Sequence, residues 1–157
     1  MEADLSRRGL ALVGLTAAGT LAVCQATSYL VHSRLPLDET RVVTRFLHFT
    51  YIRNSGGVFG MFQGHPELFG LLSAVIIVAG IAYMLSERGW ARHQYVCFGL
   101  IVGAAASNVC DRLVYGAVID FLDVQGIPHW HYVFNPADVA IHLGAWPLAF
   151  GALLGKR

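Results

Sequence analysis

Leu68-Phe69-Gly70-Leu71-Leu72-Ser73-Ala74-Val75-Ile76-Ile77-Val78-Ala79-Gly80-Ile81-Ala82-Tyr83-Met84-Leu85-Ser86 runs for 19 residues without a charged side chain. A helix crosses the ~30 Å hydrocarbon core of a bilayer with about 20 apolar residues, and about 17 to 25 is the usual range. On either side of this stretch lie three more of the same kind. Gly9 to Ser33, His93 to Cys110 and Val139 to Gly155 are charge-free over 25, 18 and 17 residues. Uncharged Asn135-Pro136-Ala137 lengthens the last. The expected spans are about 9–33, 68–86, 93–110 and 136–155, in one integral membrane domain covering residues 1–157. Composition agrees: 13% of the residues are charged and 55% are hydrophobic. A soluble domain carries about 25% charged residues. A formal net charge of +1 and the lack of a Lys/Arg cluster argue against nucleic-acid binding.

Orientation follows from the basic residues beside the helix ends. Arg7, Arg8, Arg88, Arg92, Lys156 and Arg157 crowd one side. Arg34, Arg41, Arg45, Arg53 and Arg112 are spread thinly over the other. Both termini are expected to be cytoplasmic. Ser6-Arg7-Arg8-Gly9-Leu10-Ala11-Leu12 imitates a twin-arginine signal, and Leu21-Ala22-Val23-Cys24 imitates a lipoprotein cleavage box. The charge-free stretch here is longer than a signal peptide's apolar core of about 7–15 residues, and Val23 is β-branched where a small residue is expected. The first helix is therefore expected to be retained. Cys24, Cys97 and Cys110 sit in apolar stretches with no C-x-x-C spacing and read as buried hydrophobes, not a disulfide framework.

Residues 34–67 and 111–135 then face the same, outer side. Thr40 to Ile52 is dense in β-branched and aromatic residues and reads as one or two strands. Asn54-Ser55-Gly56-Gly57 makes a turn. Trp130, Tyr132 and Phe134, alternating with His131 and Val133, read as a further short strand. The fold class is an all-α membrane protein, four transmembrane helices with a small β-rich layer on the outer (periplasmic) face.

The acids carry the chemistry. Asp111, Asp120, Asp123 and Asp138 fall within one 28-residue window. Asp111 closes the third helix and Asp138 opens the fourth. Asp120 lies in the apolar run Ala117-Val118-Ile119-Asp120-Phe121-Leu122, where a carboxylate is costly unless paired, hydrogen-bonded or protonated. Two carboxyls converging in a poorly solvated site push their pKa values apart, so that one keeps a proton while the other acts as base. That is the requirement for activating water without a metal.

Each acid also has a plainer reading. Asn135 suits an N-cap, Pro136 the first helical position and Asp138 a first-turn acid. Asp120 has structural alternatives, a hydrogen bond or an ion pair with Arg112 or Arg53. Asp111 suits a helix end, and Asp123 a solvated loop. His142 lies one turn beyond Asp138 on the same helix face, where it could touch the site; the plainer reading is a packed, neutral side chain. His129 and His131 lack a third ligand, so no metal site or cofactor is expected. No serine stands in a G-x-S-x-G elbow. Gly99/Gly103 and Gly151/Gly155 mark close helix contacts.

Three blocks together resemble signal peptidase II, the bacterial lipoprotein signal peptidases. They are Asn54-Ser55-Gly56-Gly57-Val58-Phe59, matching N-x-G-x-x-F; Asn108-Val109-Cys110-Asp111-Arg112 with Gly116-Ala117-Val118-Ile119-Asp120-Phe121, matching N-x-x-D-R…G-x-V-x-D-F; and Phe134-Asn135-Pro136-Ala137-Asp138, matching F-N-x-A-D. The resemblance covers nearly the whole chain. It implies a membrane aspartyl endopeptidase with Asp120 and Asp138 as catalytic pair. Asn54, Gly56, Asn108, Arg112 and Asn135 would be substrate-binding, with Asp111 in structural support. It implies prolipoproteins bearing a diacylglyceryl cysteine as substrates, cut just before that cysteine. It implies a multi-pass protein of the bacterial inner membrane, in contact with membrane lipid, with its active site at the periplasmic face. A monomer is expected.

The chain departs from the family pattern in two places. The first-helix D-Q-x-[TS]-K appears as Cys24-Gln25-Ala26-Thr27-Ser28, without the acid or the lysine. The G-G-A-x-G approach to the second block appears as Gly103-Ala104-Ala105-Ala106-Ser107. Neither touches the acid pair. The alternative reading is a catalytically inactive relative that binds lipidated signal peptides.

Overall fold

The computed structural model describes residues 2–57, 64–87 and 89–154. Four helices carry most of them: α1 (Glu2–Arg34), α2 (Pro66–Ser86), α3 (Arg92–Tyr115) and α4 (Pro136–Leu154). All four are long and apolar enough to cross a membrane. Their outward faces expose Leu71, Val75, Val78, Leu143 and Phe150, apolar surface that hydrocarbon accepts and water would not. Gln94 accepts a hydrogen bond from the Ala91 N–H at 2.7 Å, closing the start of α3. Gly116 ends it in the left-handed conformation, φ 73°, where a side chain would be strained.

The sequence placed the end of this helix at Cys110, with Asp111 closing it. Instead α3 runs on to Tyr115, so Asp111 and Arg112 lie inside its last turns. A charged pair reads as a boundary in sequence, but here both side chains find partners within the protein. Of the basic flanks used for orientation, Arg88, Lys156 and Arg157 lie outside the described residues, as do Val58 and Phe59 of the first block.

α3 is the hub. A Cβ at Gly99 would lie 2.7 Å from Thr16 Cβ, and one at Gly103 would strike the Ala17 carbonyl, so α1 and α3 touch backbone to backbone. On its other flank, Gly144 of α4 rests on the Cys97 carbonyl. Of the second expected close contact, Gly151 meets nothing within 4 Å among the described residues, and Gly155 lies outside them. Cys24 and Cys97 are buried, whereas Cys110 is only partly so, and all three are free thiols.

The strands form one antiparallel sheet in the order β1 (Thr40–Val42), β2 (Leu47–Asn54), β3 (Val118–Val124) and β4 (Val133–Phe134). β3 was not foreseen as a strand. An apolar run of that length does not distinguish a strand from the extension of a buried helix. The strand expected over Trp130–Phe134 is confined to its last two residues. Asp123 is not a loop acid: it sits in β3, half-buried, and accepts hydrogen bonds from Thr50 Oγ1 at 2.7 Å and Gln125 Nε2 at 2.6 Å. Leu35, Tyr51, Ile119 and Phe121 form the core that seats the sheet on the end of α1.

Candidate active site

β2 and β3 pair with Asn54 opposite Val118 and Ile52 opposite Asp120. Asn54 and Asp120 are therefore diagonal neighbours on one face of the sheet, within reach across the ladder. Asn54 Nδ2 donates to Asp120 Oδ2 at 3.0 Å. From the other side Asn135 Nδ2 donates to Asp120 Oδ1 at 2.6 Å. Asp120 is only 2% exposed, and these two amides from separate segments hold its carboxyl. Neither of the foreseen arginine partners is its hydrogen-bond donor. Arg53 Nε donates to the Tyr51 hydroxyl at 3.2 Å, and Arg112 turns to backbone carbonyls.

Asn135 also starts α4. Its Oδ1 accepts the backbone N–H groups of Ala137 at 2.8 Å and Asp138 at 3.1 Å, the N-cap its position suggested. Asp138 answers three residues on, its Oδ2 accepting the Asn135 N–H at 3.1 Å. This is a reciprocal capping box with Asp in place of the usual Glu. The cap occupies one oxygen only. The other, Oδ1, faces Asn108 Nδ2 at 3.5 Å, and Asn135 Nδ2 reaches Asn108 Oδ1 at 3.4 Å. Asp138 is thus a first-turn acid through Oδ2, and its Oδ1 is turned to Asn108.

Arg112 extends the site toward α2 and the bend after β2. Nη1 donates to the Asn108 carbonyl at 3.1 Å and Nη2 to the Gly56 carbonyl at 2.8 Å. The Gly56 N–H in turn donates to Asn54 Oδ1 at 3.0 Å. Among the described residues the buried Arg112 Nε–H has no partner. Beside the guanidinium a groove of about 360 Å³ opens between α2 and α3, walled by Gly70, Leu71, Ala74 and Leu113.

Asp111 lies away from this ring of polar groups. It is 1% exposed and takes three neutral donors: Gln25 Nε2 at 2.7 Å, Ser28 Oγ at 3.0 Å and the Ile119 N–H at 3.2 Å. The structure thus draws Asn54, Gly56, Asn108, Arg112, Asp120, Asn135 and Asp138 together and sets Asp111 behind them. Sequence reasoning did not foresee the parts of Gln25, Ser28 and Ser107. The available signal was Gln25, a polar residue inside a charge-free stretch. His142 is exposed, not packed, and its Nδ1 hydrogen-bonds the Asp138 carbonyl at 2.8 Å.

Burial pushes the Asp120 carboxyl up to about 7, and the neighbouring Asp138 carboxylate adds to the rise. The amides of Asn54 and Asn135, and then the Arg112 cation, pull the other way. A carboxyl titrating near neutrality beside a second carboxyl is suited to proton transfer at physiological pH.

A family model described as signal peptidase (SPase) II matches residues 16–154. The chain is 36% identical over 159 residues to the lipoprotein signal peptidase of Desulforapulum autotrophicum, covering 97% of this chain and 98% of that one. It is 39% identical over 145 residues to the lipoprotein signal peptidase of Syntrophus aciditrophicus, covering 88% and 89%. A bacterial membrane enzyme solved by the in meso method superposes with a TM-score of 0.83 at 23% identity, over 92% of this chain and 91% of that one. A second, also a bacterial membrane enzyme solved in meso, gives 0.80 at 25% identity over 92% and 94%.

Proposed function

The chain belongs to the signal peptidase II family of aspartic peptidases, and we propose that it removes the signal peptide from prolipoproteins by cutting just before a diacylglyceryl-modified cysteine. The observation that carries the reading is Asn135, whose one residue touches both Asp120 and Asp138. Residues 1–157 act in this reading as one integral membrane peptidase domain, a monomer in the inner membrane. The termini are cytoplasmic and the acid pair lies at the periplasmic face.

In this mechanism Asp138 takes a proton from water as the water oxygen bonds to the scissile carbonyl carbon. Asp120, in its protonated form, donates to the carbonyl oxygen. Collapse of the tetrahedral intermediate breaks the C–N bond. The proton held by Asp138 goes to the departing amine of the cysteine, and the carbonyl oxygen returns its proton to Asp120. The pair ends as it began. Asn54, Gly56, Asn108 and Asn135 frame the substrate's polar main chain. Arg112, with its buried Nε–H turned to no protein acceptor among the described residues, meets an oxygen of the lipid linkage. The apolar groove beside it gives an acyl chain a lateral way in from the bilayer.

In-gel cleavage of a diacylglyceryl-modified prolipoprotein by the purified protein in detergent tests this. The wild type should cut, insensitive to chelators, and Asp120→Asn and Asp138→Asn should not. Failure of the folded wild type on several such substrates would leave a relative that binds lipidated signal peptides without cutting them.

A further inference from the structure

Strand β3 carries Asp120, and the residue before it, Ile119, is fully buried. The Ile119 N–H is directed at Asp111 on α3. Asp111 is therefore the fixed point against which this stretch of β3 is set. What fixes Asp111 comes from α1, a helix with no residue of its own against Asp120 or Asp138 in the hydrogen bonds above. Ser28 Oγ donates to Oδ2, the oxygen that takes the Ile119 N–H, and Gln25 Nε2 donates to Oδ1. Gln25 Nε2 also reaches Ser107 Oγ at 3.0 Å and the Ser107 carbonyl at 3.1 Å, one turn before Asp111. Ser28, Ser107 and Asp111 are exposed by 3%, 1% and 1%. A carboxylate in such a place keeps its geometry only while its donors are in place.

We propose that Ser28, with Gln25, is a positioning residue for the proposed cleavage, acting through Asp111 and the Ile119 amide to hold Asp120 at the distance that the acid pair requires. The proposal rests on the reading of Asp120 and Asp138 as that pair. It gives position 28 a definite duty in this chain: where the family pattern has a lysine, a neutral hydroxyl on α1 orients Asp111. Ser28 Oγ and Ile119 N share one carboxylate oxygen. Loss of the hydroxyl frees that oxygen to turn, and β3 loosens where Asp120 begins. Substrate contacts made by Asn54, Arg112 and the α2–α3 groove stay intact. The cost falls on the chemical step, not on binding.

The test is steady-state cleavage of a diacylglyceryl-modified prolipopeptide by full-length protein in detergent, comparing wild type, Ser28→Ala, Asp111→Asn, the double variant and the two acid-pair variants. Loss of one hydrogen bond to a charged group predicts a fall in kcat of about tenfold for Ser28→Ala, with KM within about twofold of wild type. Because Ser28 acts through Asp111, adding Ser28→Ala to Asp111→Asn should lower kcat no further. In the same samples, hydrogen exchange over Val118–Val124 should quicken in Ser28→Ala while that over Thr40–Val42 stays unchanged. Wild-type kcat in Ser28→Ala, unchanged exchange in β3, or losses that multiply in the double variant would each overturn the proposal. Activity retained by Asp120→Asn or Asp138→Asn would instead bring down the acid-pair reading beneath it.

Discussion

Arg112 donates through Nη2 to the carbonyl oxygen of Gly56 at 2.8 Å, holding the bend after β2 against the last turn of α3. The same guanidinium holds the Asn108 carbonyl through Nη1. Lysine offers one point charge and cannot span both acceptors while leaving a third N–H for a ligand. Arg112→Lys is expected to lower kcat/KM about tenfold or more, mostly through KM, with little change in thermal stability. An unchanged KM would remove Arg112 from the substrate's polar contacts.

Asp120 makes the fold pH-sensitive in a definite direction. Its folded value near 7 stands above the usual value of about 3.9. Between those limits the folded protein holds a proton that the unfolded chain has released, so stability falls as pH rises through this window and levels off above about 7. The slope from this one group is about 1.4 kcal/mol per pH unit at most. Melting temperatures at pH 4.5 and pH 8 should therefore differ more in the wild type than in Asp120→Asn. Parallel slopes in the two proteins would contradict the placement of this proton.

The same proton is required for the proposed donation to the carbonyl oxygen. Cleavage by the wild type is expected to decline as the pH rises through about 7, with the midpoint belonging to the pair as a unit. A kcat profile flat from pH 5.5 to 9 would exclude Asp120 as the donor.

Asn135 performs two tasks that substitution can separate. Its Oδ1 caps α4 while its Nδ2 holds Asp120. Asn135→Ala removes both, costing about 1 kcal/mol for the cap and abolishing cleavage. Asn135→Ser keeps a capping oxygen but has no amide to donate. It should melt close to the wild type and still cut at least about tenfold more slowly. A serine variant as active as the wild type would confine Asn135 to helix capping.

Gly103 and Gly151 are both helical glycines on apolar spans, and they should respond oppositely to the same change. A Cβ at Gly103 runs into the Ala17 carbonyl, whereas one at Gly151 meets nothing within 4 Å. Gly103→Ala is expected to lower the melting temperature in detergent by several degrees. Gly151→Ala should hold or raise it, since alanine favours helix by about 1 kcal/mol over glycine. Equal melting temperatures would deny the α1–α3 close approach.

The spans were legible because charge is absent from them, and absence over some 20 residues is hard to mistake. The acids were legible because Asp120 is set among Ile119, Phe121 and Leu122, where a carboxylate needs a reason. Two features escaped for physical reasons. β3 begins directly after the α3 cap, and its apolar residues carry no period that tells strand from helix. The last turns of α3 hold Asp111 and Arg112, whose charges mark a boundary only if nothing inside the protein receives them. The Gln25–Ser28–Asp111 cluster joins residues 83 and 86 positions apart, and neutral donors leave no charge pattern to notice.

The sheet order has a consequence for how the protein comes into being. β1 and β2 lie between α1 and α2, whereas β3 and β4 lie between α3 and α4, and the site sits where β2 meets β3. Asn54 and Gly56 belong to the first helical hairpin; Asn108, Arg112, Asp120, Asn135 and Asp138 all belong to the second. A growing chain delivers the first hairpin to the membrane before the second exists. Until the second hairpin arrives and β3 zips onto β2, the bilayer holds only Asn54 and Gly56 of the proposed site. In the proposed reading the protein carries its own safeguard during synthesis: cutting power arrives only when the second hairpin has docked on the first.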